Sequence, residues 1–134
     1  MRIHGIGIDV VEISRIAAAM ERHGEAFLAR IFTPAEREYC AAMKTAAMHF
    51  AARFAAKEAV AKALGTGIGE HAGWLDLEVS RSAAGAPILL LHGAAAEFAK
   101  RHGITEVQLS LTHTKDYAAA NAIAIRLLGS ACPP

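Results

Sequence analysis

The alternation of apolar and polar residues predicts an α+β fold with about five strands. Residues 6–10, 74–80 and 107–111 follow a two-residue apolar period, which is typical of strands. The apolar segments 88–91 and 117–126 follow turns, so each is predicted to pair with the preceding strand as an antiparallel hairpin. We therefore expect a mostly antiparallel sheet with helices packed on one of its faces.

Start and stop signals predict four helices between these strands. Thr33-Pro34-Ala35-Glu36 combines an N-cap threonine, a proline at the first helical position and a glutamate at the third, which is a strong start signal. Three of the helices are followed by glycine, which favours termination. The predicted helices span residues 14–23, 34–42, 46–64 and 94–102.

The helix predicted over residues 46–64 carries four charged side chains on two adjacent faces. Successive helical residues are about 100° apart, so Arg53 and Lys57 share one face while Glu58 and Lys62 share the next. One acid among three bases, beside a stripe of alanines, suits a phosphorylated ligand and a metal ion. The alternative is an ordinary solvated face, on which Glu58 and Lys62 form an ion pair worth about 0.2–0.5 kcal/mol.

Asp9 is a second candidate acid, because it interrupts an apolar strand. An unpaired carboxylate is costly to bury, so Asp9 is expected either at a solvated edge or beside a ligand. Gly5 and Gly7 lie on the same face of the strand and leave room for a neighbouring backbone or a ligand. Mg²⁺ is often bound by only one or two carboxylates, so Asp9 and Glu58 are the candidate metal ligands.

Size and composition limit the classes of protein to be considered. The chain of 134 residues is 54% hydrophobic, which predicts a single domain over residues 1–134. No apolar run approaches the roughly 20 residues of a membrane span, and the N-terminus lacks the features of a secretory signal. The net charge of +1 argues against a nucleic-acid partner. Residues 129–134 are predicted to form a frayed tail.

Cys40 and Cys132 lack the spacing of metal ligands. Free thiols in a chain without a secretory signal indicate a cytoplasmic location. No Ser/His/Asp or Cys/His nucleophile set can be argued from the spacing of the other residues.

Further candidate residues lie in turns and at a strand end. Gly65-Thr66-Gly67 follows the long helix and lets the backbone pass close to a ligand, although it is not a P-loop. Lys57 and Lys62 are suited to holding phosphate oxygens beside a bound metal. His113 lies at the end of a strand between threonines, where it is either a capping residue or a ligand contact.

Four blocks of sequence carry a resemblance to a known family. They are GIGIDVVEISRI at residues 5–16, FTPAE at 32–36, RFAAKEAVAKALGTG at 53–67 and LSLTHT at 109–114. In this order and at this spacing they resemble the holo-[acyl-carrier-protein] synthases, the small single-domain branch of the 4'-phosphopantetheinyl transferases. The resemblance runs from residue 5 to about residue 126, which is almost the whole chain.

This resemblance implies a reaction. The 4'-phosphopantetheine arm of coenzyme A is transferred to a serine of apo acyl carrier protein in fatty acid biosynthesis, and adenosine 3',5'-bisphosphate is released. Mg²⁺ is required; by position, Asp9 and Glu58 match the metal-binding acids and Lys62 matches the lysine near the diphosphate. The serine proton would pass to a water held by Asp9 or by the metal, and the sequence leaves both possibilities open.

The resemblance also implies a homotrimer with coenzyme A in clefts between subunits. The acidic carrier protein would dock near Arg15 and Arg22 on the first helix. The family commonly has lysine or arginine in the hairpin turn where this chain has Ala86, so a base near the nucleotide is missing. Together with the helix pattern, the expected coenzyme A contacts are Arg53, Lys57, Lys62, Gly65, Thr66, Pro87, His113 and Thr114.

Two other functions compete with this one. The first is a non-catalytic module that binds coenzyme A or another nucleotide without turnover. The second is transfer to peptidyl or polyketide carriers instead of the fatty acid carrier. Retention of both acids and of Lys62 argues against the first, whereas carrier preference cannot be read from the residues.

Overall fold

The computed structural model describes residues 1–127, and the predicted tail and Cys132 lie outside them. Within this range no helix is both long enough and apolar enough to span a bilayer. The elements are β1 (Arg2–Glu12), α1 (Ile13–His23), α2 (Glu25–Ile31), α3 (Pro34–Ala41), α4 (Ala46–Leu64), β2 (Leu77–Arg81), β3 (Pro87–Leu91), α5 (Gly93–Arg101), β4 (Ile104–His113) and β5 (Tyr117–Arg126). The predicted α+β class with antiparallel strands is confirmed.

The strands form two sheets rather than the single sheet that was expected. One sheet has the order β1-β5-β4, and the other is the hairpin of β2 and β3. Alternation along the chain predicts hairpin pairing, but it carries no information about whether one hairpin joins another. In the larger sheet the central strand is β5, and Asp9 of β1 lies opposite Ala120.

Helix α4 lies across the inner face of the larger sheet at very short range. A Cβ atom on Gly7 would come within 1.8 Å of the carbonyl oxygen of Ala59, and one on Gly5 within 2.1 Å of that of Ala63. Only residues without a side chain permit this approach. The prediction that these glycines admit a neighbouring backbone is confirmed, and the approach brings Asp9 next to α4.

The two faces of the larger sheet differ in exposure. The inner face is buried against α4, largely through alanines of β5 such as Ala118 and Ala122. On the outer face, Ile6, Ile8 and Val10 are 61%, 62% and 59% exposed. An apolar strip of this kind on a sheet is a candidate surface for association.

Several boundaries differ from the prediction. Helix α2 was missed because its seven residues are too few to show a helical period, and Gly24, which ends α1, also begins α2. Helix α1 begins at Ile13, one residue before the predicted start. Residues 74–76 form a short 3-10 helix instead of strand, since the Asp76 carboxylate accepts the N–H of Gly73 at 3.0 Å and closes a turn.

Candidate active site

Strand β1 and helix α4 bring Asp9 and Lys62 together. The Lys62 ammonium donates to the carbonyl oxygen of Ile8 at 2.9 Å and to Oδ1 of Asp9 at 3.4 Å. The Lys62 side chain is 51% exposed and that of Asp9 is 20% exposed. The pair is therefore accessible to a ligand from solvent.

Glu58 lies one turn before Lys62 and is half-buried. Burial raises the pKa of the Glu58 carboxyl, and the negative charge of Asp9 raises it further, while Lys62 and Arg15 act in the opposite direction. The two carboxylates are thus close enough to repel one another. Among residues 1–127 the ion pair of Lys62 is with Asp9 and none involves Glu58, so the alternative Glu58–Lys62 pair is not formed.

Two adjacent carboxylates that repel one another fit a hard divalent cation. Mg²⁺ takes oxygen ligands and commonly completes its shell with water and substrate phosphate. The described residues contain no group of three or more acidic, histidine or cysteine side chains that could hold a metal ion. Asp9 and Glu58 are the two carboxylates that could hold such an ion here, with water and substrate oxygens completing its shell.

Lys57 is directed into the core instead. Its ammonium is fully buried, 2.7 Å from Oε1 of Glu36, and it also donates to the carbonyl oxygens of Trp74, at 2.9 Å, and Leu77. An ammonium has three protons, so all of them are used within the protein. The structure therefore does not bring Lys57 together with Asp9 and Glu58, because one helical step of about 100° turns its side chain away from that of Glu58.

Glu36 is the partner that sequence reasoning missed. Its carboxylate accepts the N–H of Thr33 at 2.9 Å, which confirms the predicted capping box, and the N–H of Val79 at 2.8 Å. It therefore joins α3, α4 and β2 through one buried group. No signal within α4 identifies this partner, because the acid comes from α3.

A second group of side chains is basic and surrounds Tyr39. The guanidinium of Arg53 lies 4.3 Å from the centre of this ring and that of Arg81 lies 5.3 Å from it. The ring of His49 meets that of Tyr39 edge-on, with 6.0 Å between the two ring centres. Burial lowers the pKa of His49, as do the positive charges of Arg53 and Arg81 and the neighbouring His113. The structure thus places Arg53 and His113 in one positive region, whereas Arg81 was not expected there.

The remaining predicted contacts lie in turns. Gly65 ends α4 in the left-handed conformation with φ of 87°, as its position predicted. In the same turn the Thr66 hydroxyl donates to the carbonyl oxygen of Gly67 at 2.9 Å. Thr114 closes the turn between β4 and β5. Pro87 opens β3 directly opposite Arg81. Contact of these residues with coenzyme A stays a prediction.

Arg15 and Arg22 are both exposed on α1. The charge of Arg15 lowers the pKa of Glu58, so Arg15 lies on the side of α1 that is near Glu58. Arg22 lies in the last turn of the same helix.

The sequence matches a family model and many curated proteins. The model of the 4'-phosphopantetheinyl transferase superfamily matches residues 5–122. The holo-[acyl-carrier-protein] synthase of Koribacter versatilis is 49% identical over 90% of this chain and 97% of its own length. That of Desulforudis audaxviator is 52% identical over 92% of this chain and 93% of its own length.

Solved structures agree with these matches. The holo-[acyl-carrier-protein] synthase of Neisseria meningitidis has a TM-score of 0.88 at 34% identity and covers 93% of this chain and 100% of its own. The Helicobacter pylori enzyme, solved in complex with coenzyme A, has a TM-score of 0.80 at 33% identity and covers 90% and 99%. The chain therefore belongs to the holo-[acyl-carrier-protein] synthases, the phosphopantetheinyl transferase enzymes of the 4'-phosphopantetheinyl transferase superfamily.

Proposed function

We propose that residues 1–134 act as one domain that transfers 4'-phosphopantetheine from coenzyme A to a serine of apo acyl carrier protein, with Asp9, Glu58 and Lys62 as the catalytic residues. The observation that carries this proposal is the solvent-accessible pair of Asp9 and Lys62 beside the half-buried Glu58. Transfer at a phosphoryl group requires positioning and charge neutralisation more than covalent chemistry.

Each of these side chains has a role that its surroundings support. Asp9 and Glu58 would hold Mg²⁺, which when bound supplies positive charge at the diphosphate. Lys62 would donate to the leaving phosphate; its side chain is half-exposed, and only two oxygens of the described chain accept from it. Asp9 accepts from Lys62 through Oδ1, and its second oxygen, Oδ2, would orient a water that takes the serine proton.

The surfaces beside Asp9 and Glu58 and around Tyr39 would bind the two substrates. Coenzyme A would contact Arg53, His113, Thr114, Pro87 and the Gly65-Thr66 turn. The carrier protein would dock near Arg15 and Arg22, since Arg15 is near Glu58 and both arginines are exposed. Charges at the rim of such an interface mainly alter the association rate and its dependence on salt.

We further propose a homotrimer. The exposed apolar residues of β1, namely Ile6, Ile8 and Val10, provide a surface that association would cover. A site shared between subunits would also join Asp9 and Glu58 of one copy to the basic side chains around Tyr39 of another. The proposal would place the enzyme in the cytoplasm and in fatty acid biosynthesis; the buried free thiol of Cys40 agrees with a reducing compartment.

Mass spectrometry of apo carrier protein tests the transfer directly. Incubation with the enzyme, coenzyme A and Mg²⁺ should add the mass of one phosphopantetheine arm, and excess chelator should abolish the gain.

Glu58→Gln should lower kcat/KM by at least about 10-fold to 100-fold and shift the Mg²⁺ dependence to higher concentration. Full activity in chelator, or a Glu58→Gln variant with normal rate and metal dependence, would contradict the assigned roles.

A further inference from the structure

His4 occupies a β-bulge at the start of β1. The pairing of β1 with β5 shifts register between Ile3 and Gly5, so His4 is an extra residue in the strand. Strict alternation would place its side chain on the outer face of the sheet with that of Ile6. A bulge changes the direction of the side chain that it carries, and the His4 ring reaches the end of α4 on the inner face instead. This contact therefore cannot be read from the pattern of β1.

The imidazole of His4 fixes the last peptide of α4. Its Nε2 atom lies 3.0 Å from the carbonyl oxygen of Leu64, and because a carbonyl only accepts, Nε2 carries a proton and donates. Leu64 is the last residue of α4, where carbonyl groups lack helical partners. On the other side of the same planar peptide, the N–H of Gly65 donates to the carbonyl oxygens of Ala61 and Lys62. The Leu64–Gly65 peptide is therefore held at both its oxygen and its nitrogen.

The Gly65-Thr66-Gly67 turn depends on how this peptide is oriented. Gly65 and Gly67 have φ angles of 87° and 64°, which glycine adopts freely, and a Cβ atom on either would meet nothing within 4 Å. Packing therefore does not fix these two positions. The N–H groups of Thr66 and Gly67 both return to the carbonyl oxygen of Ala61 inside α4. Hydrogen bonds at the end of α4, including that of His4, thus set the conformation of the turn.

Aromatic contacts restrict the His4 ring itself. It meets Phe98 of α5 edge-on, with 6.5 Å between the ring centres, and it meets His102 edge-on at 6.2 Å. His71, in the loop between α4 and β2, lies with its ring centre 5.8 Å from that of Phe98. His4 is thus oriented toward Leu64 by its neighbours in α5, and His71 offers a second histidine beside the same phenylalanine for comparison.

We propose that His4 is a positioning residue for coenzyme A, because its bond to the Leu64–Gly65 peptide presets the turn that the co-substrate contacts. This inference rests on the proposed function, which makes Gly65 and Thr66 contacts of coenzyme A. A preset turn lowers the cost of ordering the site on binding. Loss of the His4 bond should therefore weaken coenzyme A binding and spare the carrier protein, whose proposed docking helix is α1.

Three substitutions separate the hydrogen bond from the ring. His4→Phe keeps an aromatic ring beside Phe98 but removes the donor, and should raise the calorimetric Kd of coenzyme A by about threefold to tenfold, as expected for one lost hydrogen bond. Both kcat and the KM of the carrier protein should stay within about twofold. His4→Gln retains an N–H donor and should restore most of the affinity. His71→Phe is the matched control, since it makes the same change at another ring beside Phe98 and should alter neither constant.

Amide hydrogen exchange without coenzyme A measures the turn directly. The N–H groups of Gly65, Thr66 and Gly67 should exchange faster in His4→Phe than in the unmodified chain, and at the unmodified rate in His71→Phe. If the phenylalanine ring does not fit, His4→Leu removes the donor with a smaller side chain and makes the same comparison.

Unchanged exchange, an unchanged Kd of coenzyme A, equal weakening of both substrates or no rescue by His4→Gln would overturn the inference. Binding and exchange need no turnover. A chain that fails to transfer phosphopantetheine would therefore disprove the proposed function, while these two measurements would still decide the role of His4.

Discussion

Helix α4 carries two lysines that are five residues apart and lie in opposite environments. Lys57 is fully buried and is 2.7 Å from Glu36, whereas Lys62 is 51% exposed and is 3.4 Å from Asp9. Both form an ion pair with an acid from another element. The partners and the surrounding solvent, rather than the residue type, separate a structural charge from one that is free to meet a ligand.

The buried pair fixes the structure because its hydrogen bonds are complete. Burial lowers the pKa of Lys57, although the carboxylate of Glu36 opposes this shift, so the charge is costly to bury even when paired. Three elements are held by the pair, since Glu36 lies in the first turn of α3, Lys57 belongs to α4 and Val79 belongs to β2. By contrast, Lys62 can change partners without leaving a fully buried charge unpaired.

Breaking the buried pair should give the largest loss of stability. Lys57→Met leaves the Glu36 carboxylate buried without its counter-charge, so we expect a loss of about 3–5 kcal/mol in the free energy of unfolding. Lys62→Met, the matched change in the exposed pair, should cost no more than about 1 kcal/mol. Urea unfolding of both variants measures the difference. Equal losses would show that the two pairs do not differ as described.

Separating β1 from α4 should have the next largest effect. Gly7→Ala places a Cβ atom against the Ala59 carbonyl oxygen, so we expect a loss of about 1–3 kcal/mol from overpacking together with slower transfer, because Asp9 moves from Glu58. Gly69→Ala is the control, since its Cβ would meet nothing within 4 Å. A Gly7→Ala variant with unchanged stability and rate would refute the close approach.

Removing the charge of Glu58 should produce the smallest change in stability, and its sign is informative. Because the folded-state pKa of Glu58 is raised, ionisation of this group destabilises the fold once the pH exceeds the ordinary carboxyl range of about 4. Without divalent ions, Glu58→Gln should therefore be slightly more stable than the unmodified chain near neutral pH, and the advantage should vanish as the pH falls to about 4. Thermal melts over this range measure it, and a less stable variant at neutral pH would contradict the claim that burial and repulsion from Asp9 disfavour the ionised Glu58.

Much of the fold was predictable because its signals are local. Helix α4 was predicted with the bounds that the structure has, since alanine-rich periodicity and Gly65 define it, and the capping box at Thr33 was confirmed. The division into two sheets depends on contacts between distant segments, which alternation does not encode. For the same reason Arg81 was missed, as only folding brings β2 to Tyr39.

The site was predictable where a face of an element defines it. The pattern of β1 predicted that Asp9 faces away from the apolar residues, and the exposed Ile6 and Ile8 confirm this. The pairing of Lys57 with Glu36 could not be predicted from α4 alone, because the acid comes from a helix 21 residues earlier. Sequence spacing placed Lys57 and Lys62 on different faces, but only packing determined which face reached solvent.

The most direct test measures transfer and stability on the same preparation of Lys62→Met. We expect kcat/KM for phosphopantetheine transfer to fall by at least about tenfold, as for the loss of a charge-assisted hydrogen bond, while the free energy of unfolding changes by no more than about 1 kcal/mol. A variant that transfers at the normal rate, or one whose activity falls only in proportion to its loss of folded protein, would contradict the claim that the exposed lysine of α4 serves the reaction.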